Sequence, residues 1–92
     1  MTPVPDDHED LRTLVTDALV AVAPDLEATT IDPDADFHVD LGLDSMDILN
    51  LATALHEATG VDVPERDYPR INTLTSCVAY VSDRIERGRK PR

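Results

Sequence analysis

Three stretches of the chain repeat apolar residues at steps of three and four, the spacing that places side chains on one face of an α-helix. In the first stretch the repeat runs from Leu11 to Val22. Acidic residues cluster at its start, and Pro24 disfavours helical geometry at the residue before it, so this helix is predicted to end at about Ala23. Its apolar positions are Leu11, Leu14, Val15, Ala18, Leu19 and Val22.

The second stretch is predicted to begin after Asp44, a suitable N-cap, and Asp47 three residues later completes a capping-box pattern. Gly60 is a natural residue to end this helix. At about 100° per residue, Asp47 and Ala54 fall near the edge of an apolar arc. That arc is predicted to face the core and holds Ile48, Leu51, Ala52, Leu55 and Ala58. The opposite arc is predicted to face solvent and holds Ser45, Met46, Leu49, Asn50, Thr53, His56 and Glu57.

The third stretch predicts a helix from about Leu74 to Arg87, with Gly88 after it. Its core face is predicted to hold Leu74, Cys77, Val78, Val81 and Ile85. A short, poorly patterned segment, 65–69, precedes this helix, and Pro69 is expected to cut it off.

A long loop, roughly 24–43, separates the first two helices, and loops of that length are usually functional or held by their own side chains. The residues expected to pin it to the core are Ile31, Phe37, Val39 and Leu41. We find no strand pattern and no repeat. The predicted fold is all-α, with three longer helices and one short helix in a single domain, 1–92, whose ordered core spans about 7–87 and whose basic C-terminal tail is 88–92.

The charge of the chain is uneven. The 92 residues have a formal net charge of -11. Residues 1–65 hold sixteen acids and one base, whereas residues 66–92 hold three acids and seven bases. The acidic part would repel nucleic acid and favour basic protein surfaces. We interpret the basic end as a solvated helix terminus rather than a site for RNA or lipid, because cations are favoured at a helix C-terminus.

No apolar run approaches the roughly 20 residues of a membrane span, and the first residues show no basic segment followed by an apolar one. We therefore expect a cytoplasmic protein that binds neither membrane nor nucleic acid. The lone cysteine, Cys77, excludes an internal disulfide and any cysteine-based zinc site. Because it falls on the apolar face of the last helix, it is predicted to be a buried structural thiol.

The segment Asp-Leu-Gly-Leu-Asp-Ser-Met-Asp, residues 40–47, is the strongest chemical signal in the sequence. It places Ser45 in the first turn of the second helix, beside Asp44 and Asp47. A phosphate on the Ser45 hydroxyl would lie close to free backbone N–H groups and to the positive end of the helix dipole. Ser45 is therefore a candidate acceptor for a prosthetic group.

This motif resembles the phosphopantetheine attachment site of acyl carrier proteins, and the resemblance extends from about Leu11 to Ile85. It includes the order of the helices, the Val61-Asp-Val-Pro link before the short helix, and the Tyr80-Val81 pair. The resemblance implies a four-helix bundle that is a carrier and not an enzyme. A phosphopantetheinyl transferase, with coenzyme A and magnesium, would join 4′-phosphopantetheine to Ser45. The thiol of that arm would hold acyl groups as thioesters.

The resemblance also implies roles for other residues. Asp44 would cap the helix and help to position the metal during modification, although the chain itself is expected to hold no metal. Met46 stands where the family has leucine, and Asn50 stands where it usually has glutamate. The predicted partner-recognition surface consists of Met46, Asp47, Leu49, Asn50, Thr53 and Glu57. The implied partners are acyl-loading and acyl-processing enzymes, such as ligases, ketosynthases or acyltransferases of fatty-acid, polyketide or related biosynthesis, and the protein is expected to be a monomer.

Other kinds of site fit the residues poorly. Ser45 is not in a G-x-S-x-G motif, and neither His38 nor His56 belongs to a motif that would make it a catalytic base. The three aspartates from position 32 to 36 imitate the start of an EF-hand loop, but Phe37 and Leu43 occupy the positions that need glycine and glutamate.

Two alternatives to an acyl carrier remain open. One is a carrier of aminoacyl or peptidyl groups, although Gly42-Leu43-Asp44 leans towards the acyl class. The other is a helical interaction module whose serine is never modified.

Overall fold

The computed structural model describes residues 8–26 and 31–89. Within these ranges the chain forms four helices and no strand, so the all-α prediction is confirmed. They are α1 (His8–Val22), α2 (Ser45–Thr59), a 3₁₀ helix (Glu65–Ile71) and α3 (Leu74–Arg89). None of the described helices is both long and apolar enough to cross a membrane.

The core lies where α1 packs against α2 and α3, and the 3₁₀ helix closes it by packing against α3. The predicted inward faces of the three longer helices supply most of it. Leu11, Val15 and Leu19 of α1 are fully buried, as are Leu51 and Leu55 of α2. The five predicted core positions of α3, which are Leu74, Cys77, Val78, Val81 and Ile85, are all buried.

The long loop before α2 is held by Phe37, which is completely buried. Its N–H donates to the carbonyl of Asn72 at 2.7 Å, and its carbonyl accepts the N–H of Leu43 at 2.9 Å. Ile31 and Leu41 are partly buried against the core, as predicted. The loop is therefore fastened to the junction between the 3₁₀ helix and α3.

The prediction that Val39 also pins this loop is wrong, because its side chain is 78% exposed. The backbone explains the difference. One carboxylate oxygen of Asp36 accepts the N–H groups of His38 and Val39, each at 2.8 Å. This tight Asx turn buries Phe37 while it leaves Val39 in solvent.

The core arc of α2 also needs a correction near its end. Ala58, which was predicted to face the core, is exposed, whereas Thr59 is buried. The Thr59 hydroxyl donates to the carbonyl of Leu55 at 2.7 Å and accepts the N–H of Val61 at 3.1 Å. Burial of this hydroxyl is therefore compensated by hydrogen bonds. Gly60 then ends the helix with a left-handed φ of 77°, as predicted.

Two further boundaries differ from the predictions. Pro69 lies inside the 3₁₀ helix, which continues to Ile71. The fixed φ of proline falls within the 3₁₀ range, so the ring costs this short helix only one N–H donor. Similarly, α3 passes through Gly88 and ends at Arg89. A glycine lowers helix propensity without forcing the helix to end. The rest of the predicted basic tail, 90–92, lies outside the described residues.

Candidate functional site

Ser45 is the first residue of α2, and its side chain is exposed. The helix begins there because Asp44 adopts an extended conformation and forms a capping box with Asp47. The N–H of Asp47 donates to the Asp44 carboxylate at 2.9 Å, and the N–H of Asp44 donates to the Asp47 carboxylate at 3.2 Å. The predicted N-cap and capping box are confirmed, and they fix the position of the serine relative to the helix axis.

The capping box leaves two backbone donors free beside Ser45. The N–H groups of Asp44 and Asp47 are occupied, and the N–H of Ile48 donates to the carbonyl of Asp44 at 3.1 Å. The N–H groups of Ser45 and Met46 have no partner within the described part of the chain. A phosphate on the serine oxygen would therefore find uncommitted donors and the positive end of the helix dipole. The residues present fit an attached phosphodiester.

The segment before Ser45 is held from two sides. Leu43 is buried, and its carbonyl lies 2.7 Å from Nδ1 of His38. Gly42 before it has φ 73°, a left-handed conformation that favours glycine. This turn directs Leu43 into the core and leaves the start of α2 at the surface. Ser45 is thus exposed on a firmly anchored backbone.

A cleft of about 540 Å³ opens beside Ser45. One wall is the loop around His38, the second is the start of α2, and the third is formed by the end of the 3₁₀ helix and the residue after it. The lining residues are Asp36, Phe37, His38, Val39, Asp44, Ser45, Ile48, Tyr68, Pro69 and Asn72. Sequence reasoning found only the start of α2. It missed the loop around His38 as well as Tyr68, Pro69 and Asn72, because no local pattern connects these residues with the serine.

Asp36 joins the loop wall to the far wall of this cleft. The Asn72 side-chain amide donates to the second oxygen of the Asp36 carboxylate at 3.2 Å. Hydrogen bonds hold the pKa of Asp36 below its usual value, although partial desolvation opposes them. The N–H of Val39 has the largest effect, and the N–H of His38 and the Asn72 amide act in the same direction. Asp36 therefore stays ionised and adds negative charge to the cleft.

The predicted recognition surface is exposed as expected along α2. Met46 is 61% exposed and Leu49 is 42% exposed, and Asn50, Thr53 and Glu57 also lie in solvent. Asp47 is half-buried, since its carboxylate is committed to the capping box. The Thr53 hydroxyl donates to the carbonyl of Leu49 at 3.0 Å. The surface therefore combines exposed apolar side chains with acidic and polar ones.

His56 and Cys77 are not part of the cleft beside Ser45. His56 is exposed in the last turn of α2, eleven residues from Ser45. The described residues contain no group of three or more histidine, cysteine or acidic side chains that could hold a metal ion. Cys77 is fully buried, as predicted, and burial raises the pKa of its thiol to about 12.

Comparison with known proteins gives consistent matches. Residues 9–81 match the family model described as the phosphopantetheine attachment site. An acyl carrier protein of Helicobacter pylori (strain G27) is 35% identical over 66 residues, which are 72% of this chain and 85% of that protein. An acyl carrier protein of Helicobacter acinonychis (strain Sheeba) is 31% identical over 75 residues, 82% of this chain and 90% of that protein.

Proposed function

The chain belongs to the acyl carrier protein family, and we propose that Ser45 is the residue to which its prosthetic group is attached. Proteins of this family are carriers and not catalysts, and their cofactor is a covalently bound 4′-phosphopantetheine. The observation that carries the proposal is the exposed Ser45 hydroxyl at a capped helix start, with the N–H groups of Ser45 and Met46 free beside it.

The residues around Ser45 have separable roles in this proposal. In the active site of a phosphopantetheinyl transferase, the Ser45 oxygen would attack the pyrophosphate phosphorus of coenzyme A that bears the pantetheine arm. The P–O bond of the pyrophosphate breaks, adenosine 3′,5′-bisphosphate leaves, and the hydroxyl proton passes to a base of the transferase. Asp44 holds the helix start and contributes a carboxylate oxygen that helps to position the magnesium ion of the transferase complex. The bound group supplies a thiol on a flexible arm, on which acyl groups are held as thioesters. The tether raises the effective concentration of the cargo at each partner enzyme.

We propose an acyl cargo because the relatives are acyl carrier proteins. The matching partners are acyl-loading and acyl-processing enzymes, such as ligases, ketosynthases or acyltransferases of fatty-acid, polyketide or related biosynthesis. An aminoacyl or peptidyl cargo and an unmodified interaction module are the other outcomes that the experiments below distinguish.

The partner surface in this proposal lies on the exposed arc of α2. Met46 and Leu49 are large apolar side chains held in solvent, and such residues are suited to enter apolar hollows on a partner. Glu57 and the net negative charge around them would favour a partner whose contact surface is basic. Asn50 and Thr53 complete the surface between these two groups.

The attachment is tested by incubating the protein with a promiscuous phosphopantetheinyl transferase, magnesium and coenzyme A, followed by intact-mass measurement. We expect one phosphopantetheine per chain in the wild type and none in Ser45→Ala. Ser76→Ala is the matched control, since Ser76 also lies in the first turn of a helix, and it should be modified normally. Modification that persists in Ser45→Ala would move the attachment site, and no modification by several transferases would contradict the carrier function.

The cargo is tested on the modified protein. Loading by an acyl ligase, without loading by amino-acid-activating enzymes, would support the acyl assignment. The reverse result would establish an aminoacyl carrier. Each product is identified by the mass that it adds and by its loss on treatment with hydroxylamine, which cleaves thioesters.

A further inference from the structure

His38 is the one base among the residues that line the cleft beside Ser45. It lies on the loop wall, and its ring bonds to the segment that leads into α2. Nδ1 is 2.7 Å from the carbonyl oxygen of Leu43, two residues before the serine. The ring is therefore fixed to the same backbone that positions Ser45.

This hydrogen bond determines what the other ring nitrogen can do. A carbonyl oxygen only accepts, so Nδ1 carries the proton when the bond forms. Nε2 has no partner in the part of the chain that the structure describes, and it is an acceptor in the neutral ring and a donor in the charged ring. The protonation state of His38 therefore changes what Nε2 offers to the cleft and leaves the tie to Leu43 intact.

The other charged groups around the cleft are acidic, so His38 is the lining residue whose charge could attract a phosphate at Ser45. The other titratable groups in its lining are Asp36 on the loop, Asp44 at the start of α2 and Tyr68 on the 3₁₀ helix. The two carboxylates would oppose a phosphate at Ser45, and they are already committed to hydrogen bonds. Besides the free N–H groups of α2, only His38 can offer a favourable charge from the cleft wall.

We propose that His38 is a positioning residue for the modified Ser45, and that its charged ring pairs with the phosphodiester formed there. This inference rests on attachment at Ser45 as proposed above. The Nδ1 bond to Leu43 holds the ring against the loop, and Nε2–H is the donor towards the phosphate. His38 thereby limits the directions that the root of the arm can take, and it does so most strongly when the ring is protonated.

The proposal predicts a spectroscopic change that a structural role alone would not give. A phosphodiester keeps its single negative charge over the range in which histidine titrates, about pH 5 to 8. A unit charge about 6 Å away in a water-like dielectric moves a titration by about half a pH unit. The NMR titration midpoint of His38 should therefore lie higher in the modified protein than in the unmodified one. Asp36, Asp44 and Tyr68 are present in both forms, so their influence is common to the two titrations.

The phosphorus nucleus supplies an independent signal. The phosphodiester does not itself titrate in this range, so its ³¹P shift should follow the protonation of His38 with the same midpoint. His56 is an internal control, because it is exposed and lies at the opposite end of α2, and its midpoint should be equal in both forms.

Two substitutions of His38 test the roles of its two ring nitrogens separately. His38→Asn places an amide donor near the position of Nδ1, so it can keep the bond to Leu43 while it removes Nε2. This variant should keep the fold and lose the pH dependence of the ³¹P shift. His38→Gln places its amide near the position of Nε2, without a charge, and should also give a flat ³¹P profile.

The outcomes are distinguishable from those of the proposed function. Mass measurement first establishes whether Ser45 is modified, and absence of modification overturns both proposals. If Ser45 is modified, equal His38 midpoints in the two forms, or a ³¹P shift in the wild type that does not follow His38, overturn this inference alone. Because these measurements use the wild-type protein, they decide the question even if a variant fails to fold.

Discussion

The hydroxyl of Tyr80 in α3 donates to the carboxylate of Asp67 in the 3₁₀ helix at 2.7 Å. Arg84 donates to the same oxygen at 3.2 Å. Tyr80 is buried, so this carboxylate ties the 3₁₀ helix to the core face of α3. The same short helix supplies Tyr68 and Pro69 to the cleft beside the serine. One wall of the site is thus held in place by a contact that lies outside the cleft.

Removing this contact should weaken the whole fold. We expect Tyr80→Phe to lower the free energy of unfolding by about 1 kcal/mol, because it deletes a hydroxyl that has a charged partner. Tyr68→Phe is the matched control, since no partner of the Tyr68 hydroxyl is found among the described residues, and it should change stability little. Urea unfolding followed by circular dichroism measures both variants. Equal stability of Tyr80→Phe and Tyr68→Phe would show that the Asp67 bond contributes nothing.

The same pair predicts a pH dependence. The hydrogen bond from Tyr80 holds the pKa of Asp67 below its ordinary value of 3.8, in spite of partial desolvation, and nearby arginines act in the same direction. The folded state therefore favours the ionised carboxylate. This stabilisation is present above that ordinary value, which applies to the unfolded chain, and is lost as the pH falls through the lowered folded value.

Thermal melts from about pH 6 down to about pH 2 should therefore show that the advantage of the wild type over Tyr80→Phe shrinks in acid. Asp36 has a lowered pKa in both proteins, so the difference between them isolates Asp67. A constant difference over the whole range would contradict the linkage. At the alkaline end, burial raises the pKa of Tyr80 above 10.0, so the folded state favours the neutral hydroxyl. The stability that this hydroxyl provides should be lost as the pH rises through the raised value.

The helices with a regular apolar spacing were predictable from the sequence. The predictions of burial fail where hydrogen bonding, rather than hydropathy, decides whether a side chain is buried. Leu51 and Leu55 were placed in the core by helical spacing alone, and both are fully buried. The same spacing placed Ala58 on the core arc and left Thr59 unassigned. In the structure the Thr59 hydroxyl bonds to the carbonyl of Leu55 and becomes suitable for burial. A side-chain bond to the preceding turn cannot be read from a pattern of apolar residues.

The candidate site also has one part that the sequence predicts and another part that it does not. Asp44 and Ser45 follow from a local motif, because a capping box is encoded within four residues. The far wall of the cleft depends on a contact between Asp36 and Asn72, which are 36 residues apart. The bond from His38 to Leu43 depends on the turn made by Gly42. Such contacts require the folded arrangement of the loop, which has no helical or strand period from which to derive it.

The cap of α2 gives a prediction about the site itself. Asp44→Ala should cost about 1 kcal/mol of stability, because it removes the acceptor for the Asp47 N–H at the start of the helix. Asp44→Asn should recover most of this loss, since an amide oxygen also caps. Asp62→Ala serves as a control on an exposed carboxylate without a recorded partner in the described chain. If Asp44→Ala and Asp62→Ala unfold at the same urea concentration, the capping box does not hold the helix start.

Cys77 should react slowly in the folded protein. Its side chain is fully buried, and its pKa of about 12 leaves almost no thiolate at neutral pH. Labelling with a thiol reagent should therefore proceed only through opening of the structure and become rapid in denaturant. Cys77→Ala should cost on the order of 1 kcal/mol, as expected for the loss of a small buried group. Fast labelling without denaturant would mean that α3 is rotated from the position described above.

The two faces of α2 give the sharpest test, because Leu49 and Leu55 lie on the same helix with opposite surroundings. Leu55 is fully buried, so Leu55→Ala should destabilise the protein by about 2–5 kcal/mol, much of the stability of a domain of this size. Leu49 is 42% exposed, so Leu49→Ala should barely change the melting temperature. It should instead weaken acyl transfer with a partner enzyme, by removing an apolar anchor. Thermal melts and partner turnover for the two variants should be measured side by side. If Leu49→Ala lowered the melting temperature as much as Leu55→Ala, or left partner turnover unchanged, the recognition surface would have to be placed on another face of the protein.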